Sequence, residues 1–120
     1  MVTETELEEL RERLERERAE VKVKLDRLRE YLKCEVDIDV DEGDFNLYER
    51  EKNLALAQSL EHKLASIDHA LHLMDQGRYG ICEECGKPIA IERLRAIPDT
   101  TLCLSCRIKR EREARREQMA

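Results

Sequence analysis

Four cysteines in two Cys-x-x-Cys pairs are the residues of this chain whose types and spacing most clearly indicate chemistry. Cys82 and Cys85 form the first pair, Cys103 and Cys106 form the second, and seventeen residues separate the pairs. This spacing is typical of zinc sites, in which two tight chain turns bring four thiolates to about 2.3 Å from one ion. Gly86 directly follows Cys85 and permits such a turn. Because sulfur fills all four positions, the sequence predicts one structural zinc ion and leaves no open site for catalysis.

Other uses of four cysteines are a disulfide framework, a redox dithiol or an iron–sulfur cluster. Five cysteines are present, which is an odd number, and the N-terminal "MVTETELEEL" lacks the basic and apolar regions of a secretory signal. We therefore expect a cytoplasmic protein, and thiols stay reduced in that compartment. The fifth cysteine, Cys34, lies far from the others along the chain and is interpreted as a packed or idle thiol.

The composition is that of long helices rather than of a conventional globular core. Charged residues make up 42% of the 120 residues and aromatic residues only 3%, with no Trp. Such a composition is typical of coiled coils. The longest apolar run covers only residues 54–57, which is too short to cross a membrane. The sequence predicts an all-α protein without a membrane segment.

Two long helices are expected before the cysteines, at residues 3–33 and 47–76. Thr3 and Glu6 form a capping-box pattern at the first helix, and Gly77 suits the end of the second. Apolar residues recur at steps of three and four in both helices, which predicts an antiparallel coiled-coil hairpin over residues 1–76. The apolar seam comprises Leu7, Leu10, Leu14, Val21, Leu25, Leu28 and Leu32 in the first helix, and Leu54, Ala57, Leu60, Leu64, Ile67, Leu71 and Met74 in the second.

The segment between the helices, residues 35–46, is predicted to be an extended acidic loop at the tip of the hairpin. Residues 35–44 contain six acids and no base. Asp41 and Asp44 are the candidate functional carboxylates of this acidic tip. The alternative is a solvated loop in which Asp44 only caps the second helix.

The C-terminal part, residues 77–120, is predicted to contain the four-cysteine finger followed by a short basic helix. Residues 107–120 hold six bases and three acids. Arg107, Lys109 and Arg110 are candidate contacts for an acidic partner, and a solvated helix is the alternative. The net charge of −6 and the acidic tip argue against coating of nucleic acid. No sequence-specific DNA binding is expected, since aromatic stacking residues are missing from the basic stretch.

The stretch "RYGICEECGKPIAIERLRAIPDTTLC" resembles the DksA/TraR family of C4-type zinc fingers. The matching features are Gly86 after the second cysteine, Ile89, the "ERL" triplet, and Pro98 five residues before the third cysteine. The helical hairpin with an acidic tip and the ending "CRIKREREARREQMA" fit the same family. The resemblance covers about residues 35–120 by motif and the remainder of the chain by architecture.

This resemblance implies a cytoplasmic transcription regulator that binds RNA polymerase and is not an enzyme. Family members insert the hairpin into the secondary channel of the polymerase, while the finger and the last helix hold its outer rim. The family's tip carries Asp-x-x-Asp-x-Ala; Asp41 and Asp44 match it, and Asn46 stands at the Ala position. Members that respond to ppGpp carry an Arg before the finger's proline. Here Ile97 occupies that place, which argues against a ppGpp response, although Arg107 matches the base after the last cysteine.

Two alternative functions follow from the same features. The hairpin and finger could serve a structural adaptor that makes only protein–protein contacts. Alternatively, the tip carboxylates could hold a second Mg²⁺ in the polymerase and stimulate cleavage of its transcript.

Overall fold

The computed structural model describes residues 2–36 and 43–119, without the side chains of residues 35, 36 and 43–46. The fold is all-α, with an antiparallel helical hairpin, a four-cysteine finger and a C-terminal helix, as the sequence predicts. The only β-structure in the described ranges is an isolated antiparallel bridge between Ile81 and Pro88. The four helices are α1 (Glu4–Val36), α2 (Gly43–Asp75), α3 (Ile91–Ala96) and α4 (Leu104–Met119).

Helix α1 begins with the predicted capping box. The amide of Glu6 donates to Thr3 Oγ1 at 3.2 Å, and the amide of Thr3 donates to Glu6 Oε1 at 3.3 Å. The hydrogen bond from Thr3 lowers the pKa of the Glu6 carboxyl. Two amides that would have no partner within the helix are thereby satisfied. None of the helices in the described part of the chain combines the length and the hydropathy that a bilayer crossing requires.

The chain forms two compact units, and the first comprises residues 15–67. Its core is formed by Leu25, Leu32 and Ala57, which are buried, with further leucines packed against them. Arg29 of α1 forms an ion pair with Glu61 of α2 at 2.9 Å, and Arg50 Nη1 donates to the carbonyl oxygen of Leu32 at 3.2 Å. These contacts join late α1 to the early and central parts of α2, as in the predicted antiparallel pairing.

The predicted seam of α2 is wrong at Leu54, which is 41% exposed. Asn53, four residues before Ala57, is partly buried instead, and so is Arg50, three residues before Asn53. Two buried residues, Ala70 and Leu73, are missing from the predicted seam. Helix α2 has apolar residues on several faces, so its sequence fits more than one apolar stripe, and contacts with α1 select the one that is buried.

Both helices extend further toward the acidic segment than predicted. Helix α1 continues to Val36 and α2 begins at Gly43, within the segment 35–46 that we expected to be a loop. No Pro or Gly follows residue 33 before Gly43, so nothing in the sequence stops α1 at the predicted place. At the other end, Asp44 lies in the first turn of α2. Asp41 lies outside the described residues.

The second unit comprises Met1–Leu14 together with Asp68–Ala120. Arg11 of α1 forms an ion pair with Asp75 of α2 at 3.0 Å. Glu6 of α1 lies 3.5 Å from Arg95 of α3. The core of this unit is drawn from α1, α2 and the finger, and includes Leu10, Leu14, Ala70, Leu73, Met74, Tyr79, Ile89, Leu94 and Leu102.

Helix α2 ends in the way that Gly77 predicts. Gly77 has φ of 71°, and its amide donates to the carbonyl of Met74 at 3.1 Å. The amide of Arg78 donates to the carbonyl of Leu73 at 2.8 Å. This pair of hydrogen bonds is the Schellman motif, in which a residue in the left-handed conformation closes the helix.

Replacing Gly77 or Gly80 with Ala separates backbone strain from steric clash. A Cβ at Gly77 would meet no atom within 4 Å, so Gly77→Ala should cost about 1–2 kcal/mol from the left-handed backbone alone. A Cβ at Gly80, where φ is 84°, would lie 3.0 Å from Val2 Cγ2. We therefore expect Gly80→Ala to be the more destabilising variant in urea unfolding of the zinc-loaded protein. Gly77→Asn is the control, since Asn tolerates this conformation. Equal stability of all variants would contradict the assignment.

Candidate metal centre

The four cysteine sulfurs form one tight cluster. The Sγ atoms of Cys82, Cys85, Cys103 and Cys106 all lie within 4.8 Å of one another, and those of Cys85 and Cys103 are 3.7 Å apart. A tetrahedron with four Zn–S bonds of about 2.3 Å has sulfur–sulfur edges of about 3.8 Å. The described residues contain no disulfide among these cysteines. The spacing of the sulfurs therefore fits a tetrahedral ion bound by four thiolates.

Tight backbone turns bring the first pair of sulfurs together. The amide of Gly86 donates to the carbonyl of Cys82 at 3.0 Å, and the amide of Cys82 donates to the carbonyl of Lys87 at 2.9 Å. Gly86 has φ of 73°, which agrees with its predicted role in the turn. In the second pair, Cys103 precedes α4 and Cys106 lies in its first turn, where the amide of Arg107 donates to the carbonyl of Cys103.

The four thiols compete for negative charge in this cluster. Burial of the Cys82 thiol opposes its ionisation, but the backbone amides of Cys103, Cys85 and Glu84 outweigh that effect and lower its pKa to about 6. Hydrogen bonds with the side chains of Cys103 and Cys82 raise the pKa of Cys106 to about 12. The cluster thus favours one thiolate at the expense of another. A divalent cation supplies the positive charge that allows all four to ionise.

The segment that leads to the second pair is held by α3 and by Tyr79. Arg93 of α3 donates to the carbonyl of Leu102 at 3.0 Å and to Thr100 Oγ1 at 3.4 Å. The hydroxyl of Tyr79 donates to the carbonyl of Pro98 at 2.8 Å, and burial raises the pKa of that hydroxyl. Hydrogen bonds from α3 and from Tyr79 therefore hold the loop that precedes Cys103. Helix α3 and the role of Arg93 are absent from the sequence-based prediction, although both lie within the quoted family motif.

The two residues inside the first cysteine pair contact two different helices. Glu83 Oε1 lies 2.6 Å from His69 Nε2 of α2, and Glu84 forms an ion pair with Arg110 of α4. Partial burial works against ionisation of Glu83, but hydrogen bonds from His69 and from the Thr101 side chain lower its pKa overall. No sequence signal pointed to these contacts, because partners separated by 14 and 26 residues meet only when the chain folds.

The other candidate residues are not members of the cysteine cluster or lie outside the described structure. Asp41 is among the undescribed residues, and the side chain of Asp44 is not described. Cys34 is exposed rather than packed. Arg107 forms an ion pair with Glu111 at 3.0 Å, so this base is already engaged within α4. Lys109 is exposed. Contact of these bases with a partner stays a prediction.

Comparison with known proteins places these features in a family. Residues 77–112 match the family model described as the prokaryotic dksA/traR C4-type zinc finger. The chain is 33% identical over 121 residues to the RNA polymerase-binding transcription factor DksA of Escherichia coli K12, covering 99% of this chain and 79% of that protein. The chain belongs to the DksA/TraR family. Together with the sulfur geometry, the C4-type finger shows a site for one structural zinc ion, and we propose the four clustered cysteines as its ligands.

The fold and a shorter match to a longer relative agree with this assignment. The structure of transcription factor DksA2 from Pseudomonas aeruginosa superposes with a TM-score of 0.81 at 29% identity, covering 95% of this chain and 89% of that one. The uncharacterized protein YteA of Bacillus subtilis is 49% identical over 55 residues, covering 46% of this chain. The chain spans only 23% of the length of YteA. The similarity thus extends over nearly the whole chain in the DksA proteins and is local in YteA.

Proposed function

We propose that this protein is a zinc-containing transcription regulator that binds RNA polymerase. The supporting observation is the similarity to DksA proteins over nearly the whole chain, in both sequence and fold. The E. coli relative is an RNA polymerase-binding transcription factor by name. The proposal includes a cytoplasmic location, where polymerase acts, and a role that is regulatory rather than enzymatic.

We further propose that the acidic end of the hairpin enters the secondary channel of the polymerase. The hairpin consists of two helices of 33 residues each, and the segment between them is rich in acids. Carboxylates at Asp41 and Asp44 would approach a catalytic centre that contains Mg²⁺ and basic side chains. In a poorly solvated channel such charges interact strongly over several ångströms. The tip therefore has the charge needed to disturb substrate or metal placement.

The basic residues of α4 proposed to contact the partner differ from the three candidates taken from the sequence. Arg107 and Arg110 form ion pairs with Glu111 and Glu84, so binding of a partner through them would compete with these pairs. Lys109, Arg112 and Arg116 follow one another at steps of three and four residues and share one side of the helix. All three are exposed, and no ion pair is found for them among the described residues. We expect these three bases to meet acidic groups of the polymerase rim.

No response to ppGpp is expected of this protein. Ile97 stands where responsive members carry an Arg, and it is 43% exposed as an apolar side chain next to Pro98. An isoleucine offers no hydrogen bond to a phosphate. We propose that regulation by this protein is independent of ppGpp.

Binding and crosslinking to core RNA polymerase test the proposal. The zinc-loaded protein carries a photocrosslinker at Gly43→Cys, with Cys34→Ser removing the other exposed thiol outside the finger. A saturable complex with crosslinks near the catalytic centre is the expected result. No binding at micromolar concentration would overturn the proposal, and the adaptor function would then be preferred.

The double variant Asp41→Asn/Asp44→Asn tests the role of the tip. We expect it to bind polymerase normally and to lose its effect on transcription, because binding depends on other surfaces while the effect depends on the two charges. The matched control is Glu8→Gln/Glu9→Gln, which removes two charges from exposed positions early in α1. Unchanged activity of the tip variant would refute its role. If the unaltered protein is active only in an assay of transcript cleavage, and the tip variant is inactive there, the cleavage alternative is favoured.

A further inference from the structure

Helix α4 has little to hold it in place except its first two turns. It runs from Leu104 to Met119, and none of its residues is buried. Beyond Arg110, no residue of α4 has a hydrogen bond or ion pair with another described element. The last nine residues thus project for about 14 Å at 1.5 Å per residue. The direction of the whole helix must be determined near its beginning.

Two points near the beginning of α4 connect it to the first cysteine pair. Cys106 joins the sulfur cluster, and Arg110 forms an ion pair with Glu84. These two residues are four positions apart, so they lie one above the other on the same side of the helix. Attachment at the cysteine cluster alone, through Cys103 and Cys106, leaves the helix free to swing about its beginning, whereas a further point one turn along the helix defines its direction. Glu84 itself lies between Cys82 and Cys85, next to the proposed metal ligands.

Glu84 can orient α4 only because its own position is held. The neighbouring Glu83 donates its amide to the carbonyl of Thr101 at 3.0 Å, which ties the first turn to the segment before Cys103. The side chain of Glu83 lies 2.6 Å from His69 of α2. The two adjacent glutamates therefore point to opposite neighbours, one toward α2 and the other toward α4.

We propose that Glu83 and Glu84 are positioning residues that join the zinc finger to α2 and α4 and set the direction of the basic helix. The arrangement belongs to the free chain and holds whichever partner α4 contacts. Both pairs are partly exposed, with side-chain exposure of 38% for Glu83, 47% for His69, 32% for Glu84 and 60% for Arg110. Solvent and salt therefore weaken the contacts, and a partner that competes for Arg110 would release α4.

Nuclear magnetic resonance of the zinc-loaded protein tests this proposal. The variants are Glu84→Gln and Arg110→Gln. The control is Arg116→Gln, which removes a base of the same helix that has no ion pair with any described residue. In the two test variants we expect amide exchange in α4 to become about two- to fivefold faster, the factor associated with one exposed ion pair. Residual dipolar couplings of α4 should then no longer fit the alignment of the finger. Zinc content should stay at one ion per chain in every variant.

Charge reversal and the neighbouring glutamate separate a positioning role from general loss of structure. The variant Glu84→Arg/Arg110→Glu should restore the exchange rates and the couplings of α4. In Glu83→Gln, α4 and the finger should keep their common alignment, because the pair between Glu84 and Arg110 is intact, and faster amide exchange should be confined to the first cysteine turn beside His69. Unchanged couplings in Glu84→Gln and Arg110→Gln would overturn the proposal. So would an equal loss in Arg116→Gln, or a failure of the reversed pair to restore alignment.

Discussion

Removal of zinc should unfold the finger and α4 while leaving the pairing of α1 and α2 in residues 15–67 intact. The finger has a small apolar core, and the four sulfurs replace much of the packing that a larger domain would have. In small zinc fingers the metal contributes on the order of 10–16 kcal/mol at neutral pH, and this energy is folding energy. Residues 15–67 contain none of the clustered cysteines and have their own apolar core.

Circular dichroism under chelation measures this effect. Helices α3 and α4 contain 6 and 16 residues, against 33 in each of α1 and α2. Loss of the two shorter helices alone would lower the helical signal by about a quarter, since metal and finger fold together. The experiment needs a reducing agent, because the released thiols of Cys85 and Cys103 lie close enough to oxidise.

Single cysteine variants provide the matched comparison. Cys106→Ser should lose zinc on dialysis against a chelator and should reproduce the chelated spectrum. Cys34→Ser makes the same chemical change at an exposed position outside the cluster and should keep one zinc per chain. A full helical signal after chelation, or zinc loss from Cys34→Ser alone, would contradict the assigned ligand set.

The local parts of the finger could be predicted from the sequence, and its long-range parts could not. Each Cys-x-x-Cys pair, together with Gly86 in the first, encodes its turn and two of the ligands within a few consecutive residues. The side-chain contacts that hold these turns depend on residues distant in sequence, such as His69 with Glu83 and Arg110 with Glu84. A glutamate between two cysteines gives no sign of its partner until the helices pack. The partner of Arg110, Glu84, is likewise distant in sequence, whereas Arg107 pairs with Glu111 only four residues away, a spacing that the sequence itself displays.

The hairpin could be predicted in outline because the apolar repeat of α1 has one dominant stripe. Leu10, Leu14, Leu25 and Leu32 are buried as expected. Helix α2 is richer in alanine and leucine, so its pattern fits several stripes, and the phase was wrong at Leu54. The helix ends near the acidic segment were also misplaced, because alternating Val, Asp and Ile residues resemble a loop or strand, and local pattern alone does not exclude helix.

A matched pair of leucine truncations tests this assignment of the core in residues 15–67. Leu25 is 1% exposed, whereas Leu54 is 41% exposed. Leu25→Ala should lower the free energy of unfolding by about 2–5 kcal/mol, because it removes buried methyl groups and leaves a cavity. Leu54→Ala should change it by no more than about 0.5 kcal/mol, the usual range for surface substitutions.

Urea unfolding of the zinc-loaded variants, followed by helical circular dichroism, gives both values. The two substitutions delete the same atoms from two helices of equal length, so helix propensity and side-chain entropy largely cancel between them. The difference between the variants therefore reports burial. If Leu54→Ala were as costly as Leu25→Ala, the free protein would bury Leu54, and the stripe predicted from sequence would be the correct one. If only Leu25→Ala is costly, Leu54 lies outside the core, and the side of α2 that faces the core is the one with Ala57, Asn53 and Arg50.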